Sequence, residues 1–149
     1  MLSLNGKRVL VVGATGAFGA EFCNQLMNAG AIVVGTASSA ENSIRLGTNL
    51  HQRLLLDLRD QESIKTLAHY LLQTPEPLDG IVLASGLVAF GAISDTPVEV
   101  QNQLSQVNAT GPINLVSQLI PKLSASASAG GSPFVVSISG VIAESPMAG

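Results

Sequence analysis

Cysteine occurs once in the 149 residues, as Cys23, tryptophan is absent, and aromatic residues make up only 3% of the chain. A single cysteine excludes an internal disulfide framework and fits the reducing environment of the cytoplasm. Charge is scarce as well: 11% of the residues are charged, and the net charge is −3. No cluster of Lys and Arg occurs, so the electrostatic footprint of a nucleic-acid binder is missing. The strongest apolar run, Ile81 to Ile93, is broken by Ser85, Gly86 and Gly91 and is too short to span a bilayer. The N-terminus reads Met-Leu-Ser-Leu-Asn-Gly-Lys-Arg, without the charge-then-apolar order of a secretory signal. His51 and His69 have no partner at metal-ligand spacing, and no Gly-x-Ser-x-Gly elbow occurs. Neither a metal centre nor a hydrolytic triad is therefore expected.

What is abundant is Val, Leu, Ile, Ala and Gly, within a hydrophobic content of 46%. That mixture suits an α/β domain whose parallel strands are buried on both faces beneath helices. Short apolar runs alternate with amphipathic stretches along the whole chain. Arg8–Val12 reads as a first strand, followed by a helix in which Phe18, Phe22, Cys23, Leu26 and Met27 recur at helical spacing up to Gly30. Ala31–Thr36 is a second strand, Ala40–Leu46 a weak helix and Arg53–Leu58 a third strand. Asp60 caps a helix striped by Ile64, Leu67, Ala68, Leu71 and Leu72, which Pro75 and Pro77 end. Leu78–Ala84 is the fourth strand. Thr96 and Glu99 match a capping box with Pro97 at the first helical position. The helix they open continues through Asn108 to Leu123, with a bend at Pro112. The alternating Ser and Ala of Ser124–Ser132 read as a flexible surface loop before a fifth strand, Phe134–Ile138, and a terminal loop from Ser139. Five strands with intervening helices predict one doubly wound Rossmann domain, three layers deep.

The chemistry gathers at the first strand–helix turn, Gly13-Ala14-Thr15-Gly16-Ala17-Phe18-Gly19. Gly13 permits a tight turn, Gly16 lets backbone approach a pyrophosphate, and Gly19 lets the helix pack closely. Backbone N–H groups and the helix dipole would then face the phosphates. A β-branched residue at Gly13 or Gly16 is expected to block that approach while helix content remains.

Further segments, in order, carry a resemblance to the short-chain dehydrogenase/reductase family. Leu56-Asp57-Leu58-Arg59-Asp60 resembles the family's third-strand end, where an Asp bonds the adenine ring. Leu83-Ala84-Ser85-Gly86 stands where the family usually has Asn-Asn-Ala-Gly. Val107-Asn108-Ala109-Thr110-Gly111 resembles the segment of the active-site Asn, with Pro121 where that helix typically ends. Ser137-Ile138-Ser139-Gly140 resembles the strand end that presents the active-site Ser. Three departures stand out. Gly16 lies one residue before the usual middle glycine, and Ala84 replaces an Asn. Alignment also places Gly140 at the catalytic Ser, which Ser139 fills only if the loop shifts by one residue.

The resemblance implies an NAD(P)-dependent oxidoreductase acting on a small carbonyl or alcohol substrate. Cofactor contacts would come from Gly13, Thr15, Gly16, Ala17, Phe18, Gly19, Thr36, Ser38, Ser39, Asp57, Leu58, Ala84, Ser85 and Gly86. Asn108 and Ser139 would act in catalysis, and no metal is implied. The second strand runs into Thr36-Ala37-Ser38-Ser39 with no acid before Glu41, which favours NADP over NAD because hydroxyls accommodate a 2′-phosphate that a carboxylate would repel. The family's Tyr-x-x-x-Lys would begin just after Gly149, so residues 1–149 are expected to be the front portion of a longer enzyme, inactive alone. The resemblance also implies a homo-oligomer built on the Asn108–Leu123 helix, and an open fifth strand would favour self-association. The alternatives are a dinucleotide-binding sensor without chemistry, or an interaction domain that has lost the cofactor. Tyr70 and Cys23 read as packing residues.

Overall fold

The computed structural model describes residues 3–140. Five parallel strands, β1 (Arg8–Val12), β2 (Ile32–Ala37), β3 (Gln52–Leu55), β4 (Gly80–Leu83) and β5 (Phe134–Ser137), lie in the order β3-β2-β1-β4-β5. Five helices connect them: α1 (Ala17–Asn28), α2 (Ala40–Ser43), α3 (Gln61–Gln73), α4 (Val98–Ser105) and α5 (Gly111–Ser128). The chain reverses its direction of travel across the sheet between β1 and β4, which opens a crevice at their carboxyl ends.

Strand period divides the core in two. Val9, Val11 and Val33 face one side with Cys23 and Leu26 of α1. Leu10, Val12, Val34 and Ile81 face the other, against Ile64, Leu67 and Leu71 of α3 and Leu115 and Leu119 of α5. Each such buried Leu or Ile contributes about 1.5–3 kcal/mol relative to exposure. Cys23 is a core thiol, and its burial pushes its pKa up to about 11. Gly30 (φ +83°) closes α1, its N–H donating to Met27 O at 2.9 Å. Asp60 caps α3 by accepting from Glu62 N–H at 2.9 Å.

Several expectations are corrected. The first half of the expected loop, Ser124–Ser128, is helix: α5 runs to Ser128, and only Ala129–Ser132 form turn and loop; Ser126 is buried, donating to Asp79 Oδ1 at 2.7 Å. Ser and Ala tolerate a helix, and the face carrying Ser126 finds a partner that composition cannot reveal. Pro121 lies inside that helix and does not end it. The capping box does not form. Thr96 donates instead to Ala92 O at 3.0 Å, and Pro97 occupies the cap position of α4. The irregularity before Pro112 is a π-helical turn over Gln106–Thr110, where Pro112 lacks the N–H that would close on Asn108 O. Phe18 is 70% exposed at the start of α1 and takes no part in its apolar stripe. α2 stops at Ser43 and β3 ends at Leu55, although Leu56 N–H still donates to Ala37 O at 2.8 Å and Leu56 and Leu58 remain in the core. Tyr70 is exposed, and its hydroxyl accepts from Gln52 Nε2 at 2.5 Å. Gly149 and the other residues after Gly140 lie outside the described part.

Asp79 anchors the amino end of the sheet. It accepts from Arg8 N–H at 2.9 Å and Ser126 Oγ at 2.7 Å, and Lys7 Nζ stands 3.4 Å away. Burial pushes its carboxyl up, but these three partners together outweigh burial and hold it below the usual carboxylate range.

Candidate functional site

The ends of four strands meet in a cleft of about 390 Å³. β1 supplies Val12, Gly13, Thr15 and Gly16; β2 supplies Thr36 and Ser38. The third-strand end supplies Leu56, Asp57, Leu58 and Arg59, and the fourth supplies Ala84, Ser85, Gly86 and Leu87. Asn42 and Val107 complete the lining.

Gly13 sits at φ +81°, and a Cβ there would lie 2.8 Å from the N and Cα of Ser85. A Cβ on Gly19 would lie 2.1 Å from Gly13 O, so that glycine allows α1 to close on the turn. Gly16 differs. Its backbone is extended (φ −78°, ψ 162°) and a Cβ would meet only Gly13 O, at 3.5 Å. Thus only Gly16 leaves its side-chain position open, and Gly13 is needed for folding as well as for access. The first turn of α1 has no side-chain cap and no acidic residue, so its leading N–H groups stay available to an anion beside the cleft.

The three expected hydroxyls, on Thr36, Ser38 and Ser39, have different surroundings. Thr36 is 1% exposed, and its Oγ1 accepts from Gly13 N–H at 3.2 Å while its carbonyl accepts from Ala14 N–H at 3.1 Å. It braces the turn from the cleft wall, its hydroxyl oxygen engaged with Gly13. Ser39 caps α2 through Asn42 N–H at 3.2 Å and does not line the cleft. Ser38 does line it, accepting from Asn42 Nδ2 at 2.9 Å, which leaves the Ser38 proton free to donate. Ala17, Phe18 and Gly19 also lie outside the lining.

Among the described residues, Asp57 and Arg59 are the only charged ones lining the cleft, and they neutralise each other. Arg59 Nε donates to Asp57 Oδ1 at 2.9 Å and Arg59 NH2 to Oδ2 at 2.8 Å. Those bonds hold the Asp57 carboxyl below its usual range against a smaller upward push from burial. Sequence reasoning names Asp57 and Leu58 from this strand end. It missed Arg59, although the spacing of two residues within a turn offered a signal, and it missed Asn42 and Leu87.

Asn108 stands beside the cleft without lining it. Its Oδ1 accepts from Leu87 N–H at 2.8 Å and its Nδ2 donates to Leu87 O at 2.7 Å. The side chain thereby reproduces a strand-like pair of bonds and pins the segment after Gly86. Ser139 is exposed just past β5 and is not among the lining residues. His51 Nδ1 accepts from Val33 N–H at 3.1 Å, a structural role at the sheet's far end. No helix of the described residues is long and apolar enough to cross a membrane.

This arrangement has close counterparts. A Pseudomonas aeruginosa protein named rhamnolipids biosynthesis 3-oxoacyl-(acyl-carrier-protein) reductase is 31% identical over 150 residues, 97% of this chain and 59% of that protein. L-xylulose reductase of Caenorhabditis elegans is 29% identical over 119 residues, covering 78% of this chain and 47% of the relative. The solved Pseudomonas aeruginosa RhlG/NADP active-site complex superposes with a TM-score of 0.86 at 30% identity, covering 99% of this chain and 59% of that one. The chain thus spans 59% of the length of the first of these relatives and less than half of the second. The family profile described as short chain dehydrogenase matches residues 7–149, and the chain belongs to that family.

Proposed function

We propose that the cleft holds a nicotinamide dinucleotide, with NADP preferred to NAD. The protein is then an oxidoreductase that transfers hydride between the nicotinamide and a small carbonyl or alcohol substrate. The observation that carries the reading is the convergence of four strand ends on a cleft whose only acid, among the described residues, is already paired with Arg59. The residues suit such a ligand. A glycine turn clears the backbone, an uncapped helix start adjoins the cleft, and Ser38 offers a donor where NAD-specific sites usually offer a carboxylate. The RhlG complex, similar over almost the whole chain, is described as holding NADP.

In this reading Gly13, Thr15 and Gly16 receive the pyrophosphate. Thr36 keeps the turn in shape, and Ser38 with Asn42 faces the adenosine ribose. Leu58 and the Asp57–Arg59 pair border the adenine, while Ala84, Ser85, Gly86 and the Asn108-pinned Leu87 floor the other end. The bound nicotinamide would supply or accept the hydride. Asn108 acts as a positioning residue through Leu87, and Ser139 is retained as the candidate hydroxyl beside the substrate carbonyl. Among the described residues the cleft lining offers no side chain titrating near neutrality, since Asp57 is held low, so residues 1–149 are expected to turn over negligibly. The protein is placed in the cytoplasm, where a lone buried thiol is at home, and as a homo-oligomer through the exposed Ile113 and Ile120 of α5.

The test is titration calorimetry of residues 1–149 with NADP⁺ and NAD⁺ at equal ionic strength. NADP⁺ should bind more tightly. Absence of any dinucleotide binding would defeat the reading and favour an interaction domain, and tighter NAD⁺ binding would reverse the preference.

A further inference from the structure

Gly111 is buried where the π-helical turn Gln106–Thr110 runs into α5. Its backbone is ordinary helix (φ −64°, ψ −52°), which any residue adopts, and alanine is the better helix former. Close approach is what excludes a side chain. A Cβ there would lie 2.5 Å from Leu58 O, 2.9 Å from Leu58 Cβ and 2.6 Å from Gln106 O. None of these atoms is the far end of a flexible side chain, so no change of rotamer relieves them. Leu58 belongs to the third-strand end that lines the cleft. The Gln106 carbonyl accepts from Gly111 N–H, the bond that closes the π-turn. Gly111 also begins the buried face that Leu115, Leu119 and Leu123 continue at helical spacing, in the same core cluster as Leu58.

We propose that Gly111 is a positioning residue that acts on the cleft through Asn108. The proposal rests on the dinucleotide reading above only for what the cleft holds. A π-turn sets one more residue between hydrogen-bonded partners than an α-turn does. Its closure offsets the helix before Gly111 by one position, about 100° around the axis. That offset presents Asn108 to Leu87, whose N–H and carbonyl it engages at 2.8 and 2.7 Å. With a Cβ at Gly111 the helix could not both seat on Leu58 and close the turn on Gln106, and Asn108 would leave Leu87. One missing methyl group thus ties the Leu58 side of the cleft to the Leu87 side.

Hydrogen–deuterium exchange in residues 1–149 tests this. Gly111→Ala should speed exchange of the Leu87 amide by about tenfold or more, as Asn108→Ala should, while Val11 in β1 keeps its parental rate. The double variant should exchange Leu87 no faster than either single variant, because both lose the same pair of bonds. Leu87 at its parental rate in Gly111→Ala, or effects that multiply in the double variant, would overturn the proposal. Asn108→Ala decides the case even where Gly111→Ala fails to fold. Its Gly111 amide should stay as protected as in the parent. Lost protection there would overturn the proposal, since the Asn108–Leu87 pair would then be holding the turn. By calorimetry, NADP⁺ should bind Gly111→Ala and Asn108→Ala with the same several-fold loss, and a loss in only one of them would overturn the shared route. A parent that binds no dinucleotide would overturn the reading of the cleft, and the exchange result would still decide the role of Gly111.

Discussion

Replacing Gly13 or Gly16 by alanine separates folding from binding within one turn. At Gly13 the φ of +81° forces an L-residue into the left-handed region, at a cost of about 1–2 kcal/mol. The new Cβ would also stand 2.8 Å from the Ser85 N and Cα, and relieving a contact with backbone costs about a further 1–3 kcal/mol. Gly13→Ala should therefore lose about 2–5 kcal/mol, out of a total that for such domains is about 5–15 kcal/mol. At Gly16 the extended backbone suits any residue and the nearest atom is 3.5 Å away, so alanine should cost less than about 1 kcal/mol. Urea unfolding followed by circular dichroism should move the Gly13→Ala midpoint down by about 1–2 M while leaving Gly16→Ala nearly unmoved. The companion variant Gly16→Val should stay folded yet lose NADP⁺ binding by more than about tenfold, because its side chain fills the approach of the phosphates. Equal destabilisation by the two alanines would refute the geometric reasoning, and a folded Gly16→Val with parental affinity would refute the phosphate assignment.

Thr36→Val removes the acceptor for Gly13 N–H and should cost about 1 kcal/mol in urea unfolding, with NADP⁺ bound several-fold more weakly; Thr36→Ser should restore both. Asn108→Ala frees Leu87, whose amide should exchange with deuterium faster by tenfold or more while the melting temperature changes little, since Asn108 is exposed. Asp79 has a folded pKa below its unfolded value of about 3.9, so its contribution is complete above that pH and is lost as pH falls through the lower, folded value. Asp79→Asn should therefore flatten the acid side of the stability profile below about pH 4 and cost about 2 kcal/mol at neutrality, measured by urea unfolding across pH. An acid limb as steep as the parent's would show that Asp79 does not govern it.

Legibility in the sequence followed the range of the interactions involved. The β1 strand, the glycine turn and the Gly30 stop of α1 are local: apolar runs, residue spacing and backbone freedom suffice to place them. Asp60 at the head of α3 was equally plain, because a cap and its N–H lie two residues apart. Thr96 shows the limit of the same logic. Its spacing to Glu99 suits a capping box, yet the Ala92 carbonyl offered a competing acceptor within the same turn. Ser126 was illegible for a stronger reason. Its partner Asp79 is 47 residues away, and nothing in a Ser-Ala alternation marks which hydroxyl will be buried.

The site divides along the same line. The residue types and their order were enough to mark a glycine-turn cleft on a doubly wound sheet, since glycines, strand ends and the absence of an acid between β2 and Glu41 are properties of the chain. Which polar atoms remain available was decided only when distant segments met. Thr36 turned inward to Gly13, 23 residues earlier, and Asn108 was committed to Leu87, 21 residues away. Arg59 closed on Asp57, and Ser85 was buried against the turn with no protein partner. Composition and period determine what a segment can become because they act through local backbone and burial. The assignment of each hydrogen bond belongs to tertiary structure, because a donor takes the acceptor that packing brings within reach.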